Sequence, residues 1–170
     1  MKIDSSLGLL GVLLEPTTVV TKAWEQVVTV GQRAFWEPQT ALVTGAGPIG
    51  LLAALVARQH GLDVHVLDRV ESGPKPRLVR ALGATYHTGT VASVGFQPDV
   101  IVECTGAGEV IADSIQAIAP GGVVWLTGVF RHDACCISSG VRQAMWWTVP
   151  APRRPDVRSG VQITSTRAAG

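Results

Sequence analysis

Three glycines and one acid carry the chemistry legible in this chain of 170 residues. Gly45, Gly47 and Gly50 form G-x-G-x-x-G, between the apolar run Ala41-Leu42-Val43 and an apolar stretch from Pro48 to Gln59. Between a strand and a helix, this spacing lets the first glycine make a tight turn. The second admits a pyrophosphate to the backbone, and the third lets helix and strand pack closely. Amide N–H groups at the helix start and the positive end of its dipole then face an anion. Asp68 closes the next apolar run, Val64-His65-Val66-Leu67, near the roughly 20-residue offset at which an acid accepts hydrogen bonds from an adenosine ribose. Together these residues would hold a dinucleotide. The competing reading is a βαβ unit whose glycines serve packing alone.

The elements that position these residues follow from periodicity and breakers. Glu15-Pro16-Thr17-Thr18 opens a helix to about Val30, ended by Gly31, with Val20, Ala23, Trp24 and Val27 on its apolar face. After the strand-turn-helix and second strand, Glu71 to Pro74 breaks the chain. A helix from about Pro76 to Leu82 and a short strand, Ala84 to His87, come next. Asp99 to Cys104 reads as a fourth strand, Glu109 to Ala119 as a helix and Val123 to Thr127 as a fifth strand. This alternation predicts an α/β fold, a doubly wound parallel sheet of Rossmann type with about five strands and its ligand edge at the strand C-termini. Residues 1–39 form a leading segment and helix packed on a dinucleotide-binding domain at 40–129. Residues 130–170 read as a divergent, irregular or disordered tail, in which Val161 to Thr164 could pair as a strand.

Fourteen basic residues against thirteen acidic leave a net charge of +1, so no field favours nucleic acid or an anionic membrane. The tail arginines lack a basic-patch or aromatic pattern. A hydrophobic content of 46% argues for a globular core, and no apolar run reaches the roughly 18 residues of a membrane span. Leu7 to Leu14 lacks the basic start and cleavage site of a signal peptide. Cys104, Cys135 and Cys136 make neither a disulfide framework nor a C-x-x-C pair, so a reducing, cytoplasmic compartment is expected. His60, His65, His87 and His132 fall in no ligand constellation, and no Ser-His-Asp or Cys-His set is spaced for catalysis. Neither a catalytic residue nor a metal ligand is therefore assigned.

One ordered series of motifs supports a family. Glu15-Pro16, G-A-G-P-I-G at Gly45 to Gly50, L-D-R at Leu67 to Arg69, G-P-K-P at Gly73 to Pro76, R-A-L-G-A at Arg80 to Ala84, E-C-T-G at Glu103 to Gly106 and P-G-G at Pro120 to Gly122 resemble the cofactor domain of zinc-type medium-chain alcohol dehydrogenases, closest to the glucose 1-dehydrogenase branch. The resemblance covers roughly Leu7 to Val129. It implies an oxidoreductase that moves hydride between a sugar or alcohol and NAD or NADP, with zinc polarising the substrate oxygen. It also implies that Gly45, Gly47, Pro48, Ile49 and Gly50 meet the pyrophosphate, and that Asp68 and Arg69 meet the adenosine ribose. Thr105, Gly106, Thr127, Gly128 and Val129 would line the nicotinamide side. Asp68 favours NAD, because a carboxylate repels a 2′-phosphate, while Arg69 would soften that preference.

Glu15 stands where this branch places a carboxylate at or near its zinc, but a catalytic site needs three protein ligands. Zinc is therefore not expected on this chain alone, and Glu15 also reads as an acid at a helix N-terminus. The resemblance places the zinc-ligating domain before Met1 and a sixth strand after Val129. From their lack we expect a truncated product whose frame or gene end changed near Val129, inactive unless a catalytic domain is supplied, with its fifth strand an exposed edge and its oligomeric state open. The alternatives are a non-catalytic nucleotide-binding or interaction module, or a remnant without function.

Overall fold

Short runs of Val, Leu and Ile make the sheet, and longer amphipathic stretches cover it. The computed structural model describes residues 4–33, 36–127, 145–148 and 162–164. A 3₁₀ segment, Ser5–Leu13, is capped by Asp4, whose carboxylate accepts from Ser6 N–H at 2.9 Å. It leads into α1, Leu14–Gly31. Strand β1, Thr40–Thr44, is followed by α2, Pro48–Gln59, then β2, Asp63–Leu67, α3, Pro74–Ala81, and β3, Thr85–His87. A 3₁₀ turn, Val91–Val94, leads to β4, Val100–Glu103, α4, Gly108–Ala117, and β5, Val123–Leu126.

Strands β1 to β5 are parallel in the order β3-β2-β1-β4-β5, the doubly wound arrangement expected. Helices α1, α2 and α3 cover one face through Val20, Val27, Ala53, Ala57 and Val79, packed on Val43, Val64, Val66 and Val102. Helix α4 and the 91–94 turn cover the other, where Leu42, Leu67 and Ile101 meet Val91, Ile111 and Ile118. Val and Ile dominate these strands, as sheets buried on both faces require.

Two expectations change. Helix α3 starts at Pro74 rather than Pro76, since a proline suits the first helical position, where its missing N–H leaves no acceptor wanting. Strand β5 is not an edge. Strand β6, Met145–Thr148, pairs with it antiparallel, and β7, Gln162–Thr164, pairs antiparallel with β6, so the backbone row of β5 has a partner. Strand β7 falls within the one tail stretch that could pair. The rest of the tail, with Gly128 and Val129, lies outside the described residues.

Candidate functional site

The register brings the site together. Thr44 pairs with Leu67 on one side and with Glu103 on the other, so the C-terminal ends of β2, β1 and β4 stand level. The order reverses at β1, since β2 follows to one side and β4 to the other. A doubly wound sheet opens a crevice at that switch point.

The three glycines at its floor differ in what a side chain would meet. At Gly45, φ is +93°, a left-handed conformation that L side chains rarely adopt, and its N–H donates to Leu67 O at 2.7 Å. A Cβ on Gly50 would lie 1.8 Å from Gly45 O, so only glycine lets α2 approach the turn this closely. A Cβ on Gly47 would meet nothing within 4 Å. No described atom crowds a side chain there, and the open space lies at the N-cap of α2. Pro48 has no N–H to offer, while the amides of Ile49 and Gly50 lack acceptors within the helix. This N-terminus is therefore backbone without a side-chain cap and with open space over Gly47, as a phosphate site requires.

Asp68 follows β2 and ties the cleft wall to the glycine turn. Its Oδ2 accepts from Ala46 N–H at 2.7 Å and from Lys75 Nζ at 2.8 Å, and Oδ1 accepts from Val70 N–H at 3.1 Å. Burial works to raise the pKa of this carboxyl, but Lys75 and the two amides outweigh it and hold the carboxyl below its usual range. Lys75 was not singled out from sequence. A helix begun at Pro76 leaves it in a loop, whereas the observed start at Pro74 puts it in the first turn of α3, over Asp68. Arg69 is exposed beside Asp68.

Across the turn, the end of β4 carries a second acid. Glu103 is fully buried. Its Oε1 accepts from Thr105 N–H at 2.6 Å, Thr105 Oγ1 at 2.5 Å and Gly106 N–H at 3.1 Å, with Thr44 Oγ1 at 3.4 Å. Its backbone carbonyl takes both the N–H and the hydroxyl of Thr127, each at 2.8 Å. The sequence reading used Glu103 only as part of a motif. Its role rests on the chain turning back after β4, which no spacing signals. Thr127 also lies 3.1 Å from Cys104 Sγ, and burial pushes that thiol up to about 12. Thr105 and Gly106 thus adjoin the glycine turn, with Thr105 Cγ2 at 3.1 Å from a Cβ built on Gly45. Thr127 stands at the end of β5.

The histidines form one pair not foreseen. His65 Nδ1 lies 2.7 Å from His87 Nε2, across β2 and β3, with Phe96 tilted against His65. Among the described residues no group of three His, Cys, Asp or Glu could hold a metal, and Glu15 is exposed in the first turn of α1. The described residues do not make a zinc site.

This sheet order, glycine turn and acid at the end of β2 define a Rossmann-type cofactor-binding domain. The chain belongs to the family described as glucose dehydrogenase C-terminus, which matches residues 8–147. The matched residues run past Val129, where the sequence reading ended the resemblance. Glucose 1-dehydrogenase 2 of Vulcanisaeta moutnovskia is 41% identical over 132 residues, 76% of this chain and 38% of that protein. Glucose 1-dehydrogenase of Methanocella arvoryzae is 35% identical over 179 residues, 96% of this chain and 50% of that protein. The crystal structure of Haloferax mediterranei glucose dehydrogenase in complex with NADP, Zn and gluconolactone superposes with a TM-score of 0.71 and 31% identity, over 81% of this chain and 41% of that one. The chain thus spans half or less of the length of these relatives. No helix among the described residues is long and apolar enough to cross a membrane.

Proposed function

We propose that residues 40–129 bind a nicotinamide dinucleotide, with NAD favoured over NADP, as the cofactor half of a sugar dehydrogenase of the glucose 1-dehydrogenase type. The observation that carries this reading is Gly47, a glycine for which the fold has no steric need, set at a bare helix N-terminus. The pyrophosphate lies over Gly45 to Gly50 and takes the amides of Ile49 and Gly50. Asp68 accepts from the adenosine ribose with the capacity its three donors leave, and its charge opposes a 2′-phosphate. Lys75 and Arg69 moderate that opposition. The nicotinamide half extends the other way, over Thr105, Gly106 and Thr127, toward Gly128 and Val129. Bound there, the nicotinamide supplies the hydride acceptor.

Zinc and the sugar contacts belong, on this reading, to a catalytic half. These 170 residues hold and orient the nucleotide and are inactive unless that half is supplied. Calorimetric titration of the purified chain with NAD and NADP tests the binding. Saturation by one equivalent of NAD is expected, and heat no greater than dilution for either nucleotide refutes it. Glucose oxidation by the chain alone, at the order of 1 per second typical of enzymes, refutes the division of labour.

A further inference from the structure

Glu103 is a buried carboxylate whose hydrogen-bond partners are all neutral. The oxygens accept from the backbone amides of Thr105 and Gly106 and from the hydroxyls of Thr105 and Thr44. Such burial is costly and wants a reason. Holding the turn after β4 supplies part of it, since an apolar residue would leave the amides of Thr105 and Gly106 without acceptors. A further part lies in what the acid does to Thr105. Amides can only donate, and so can fix the carboxylate but not receive from it. The Thr105 hydroxyl spends its single proton on Glu103 Oε1, and one of its lone pairs takes Ala107 N–H at 3.1 Å. One lone pair is left, on an exposed residue at the carboxyl rim of the sheet.

We propose that Glu103 is a positioning residue that polarises Thr105, so that Thr105 meets the cofactor as a hydrogen-bond acceptor and selects a ribose hydroxyl on the nicotinamide side. The placement follows from the two ends of the cleft. Asp68 takes the adenosine ribose at the end of β2, the diphosphate crosses the turn after β1, and the second ribose falls at the end of β4. This assignment rests on the dinucleotide reading above. Through its carbonyl, Glu103 also holds Thr127, so one residue sets both lips of the nicotinamide side.

Glutamine at position 103 keeps the volume but puts an amide donor where only an acceptor fits. On the Oε1 side it would confront the N–H groups of Thr105 and Gly106, which cannot reverse, so it takes the Oε2 side, and Thr105 keeps an acceptor but loses the charge that polarises it. The test titrates wild type, Glu103→Gln, Thr105→Val and the double variant with NAD, ADP-ribose and ADP. ADP lacks the second ribose. The expected result for Glu103→Gln is a dissociation constant about five- to tenfold higher for NAD and ADP-ribose, the scale of one hydrogen bond. For ADP it stays within about twofold. Thr105→Val should reproduce this pattern, and the double variant should be no weaker than either. Equal loss for ADP and NAD, no loss at all, or additive losses in the double variant would overturn the proposal. If Glu103→Gln does not fold, the exposed Thr105→Val carries the test through its ADP-to-NAD contrast. Failure of the wild type to bind NAD would instead sink the dinucleotide reading itself.

Discussion

Two acids flank the central strand, and their surroundings give them opposite work. Asp68, at the end of β2, shares its carboxylate with Lys75 and two amides and sits at the wall of the cleft. Glu103, at the end of β4, is fully buried and, among the described residues, hydrogen-bonds no cation. An acid whose cationic partner is partly exposed can trade contacts with a ligand. An acid enclosed by fixed donors cannot, and instead fixes the backbone around it. The same chemical group thus serves recognition on one side of the glycine turn and scaffolding on the other, and burial decides which.

Exchanging each acid for a neutral residue breaks or sharpens this contrast most strongly. Glu103→Leu leaves the amides of Thr105 and Gly106 without acceptors in the interior, so we expect a loss of about 3 kcal/mol in chemical denaturation. Asp68→Asn should cost less, about 1 kcal/mol in the same experiment, since asparagine keeps one acceptor oxygen for the amides and Lys75 stays partly exposed. If the two losses are equal, the contrast is false.

Affinity should reverse the order for Asp68. Asp68→Asn is expected to weaken NAD about tenfold in calorimetry, the scale of a hydrogen bond to a charged group. Lys75→Met probes the moderating cation. It unmasks the Asp68 charge, so the NADP-to-NAD ratio of dissociation constants should rise about fivefold, a charged contact's worth. An unchanged ratio would remove Lys75 from the specificity account.

The smallest effect is pH-dependent and lies away from both acids. Partial burial and the neighbouring His65 lower the pKa of His87 below its ordinary 6.5. The unfolded chain therefore takes up that proton first as pH falls. The stabilisation is present above about pH 6.5 and is lost as pH drops through the lower folded value. The thermal midpoint should fall modestly between neutral pH and mild acid, and His87→Gln should flatten the slope. Asp68, also depressed, contributes in the same sense but only near its own, more acidic range.

Strands β1, β2, β4 and β5 were legible because each contains a short apolar run near Gly, Pro or Asp, and α2 follows from its glycines and Pro48 alone. Element ends moved by a residue or two, where capping and proline placement decide. Asp68 was legible from its offset. Lys75 was not, because its meeting with Asp68 depends on where α3 begins. Glu103 was hidden for another reason. Its partners are two and three residues onward or on a neighbouring strand, and only the fold after β4 points them inward. The pairing of β6 with β5 was missed because Met145 to Thr148 carries no strand period, being two tryptophans between a methionine and a threonine.

The central claim is that the mouth of α2 is a phosphate cradle rather than a packing device. Gly47→Ala tests it most directly, because the added methyl meets no described atom within 4 Å yet lies where a pyrophosphate must approach. Titrated with NAD beside the wild type, the variant should lose no more stability than an alanine N-cap costs, about 1 kcal/mol, and bind at least about tenfold more weakly, one lost phosphate contact or more. Undiminished binding, whatever the change in melting, would contradict the account.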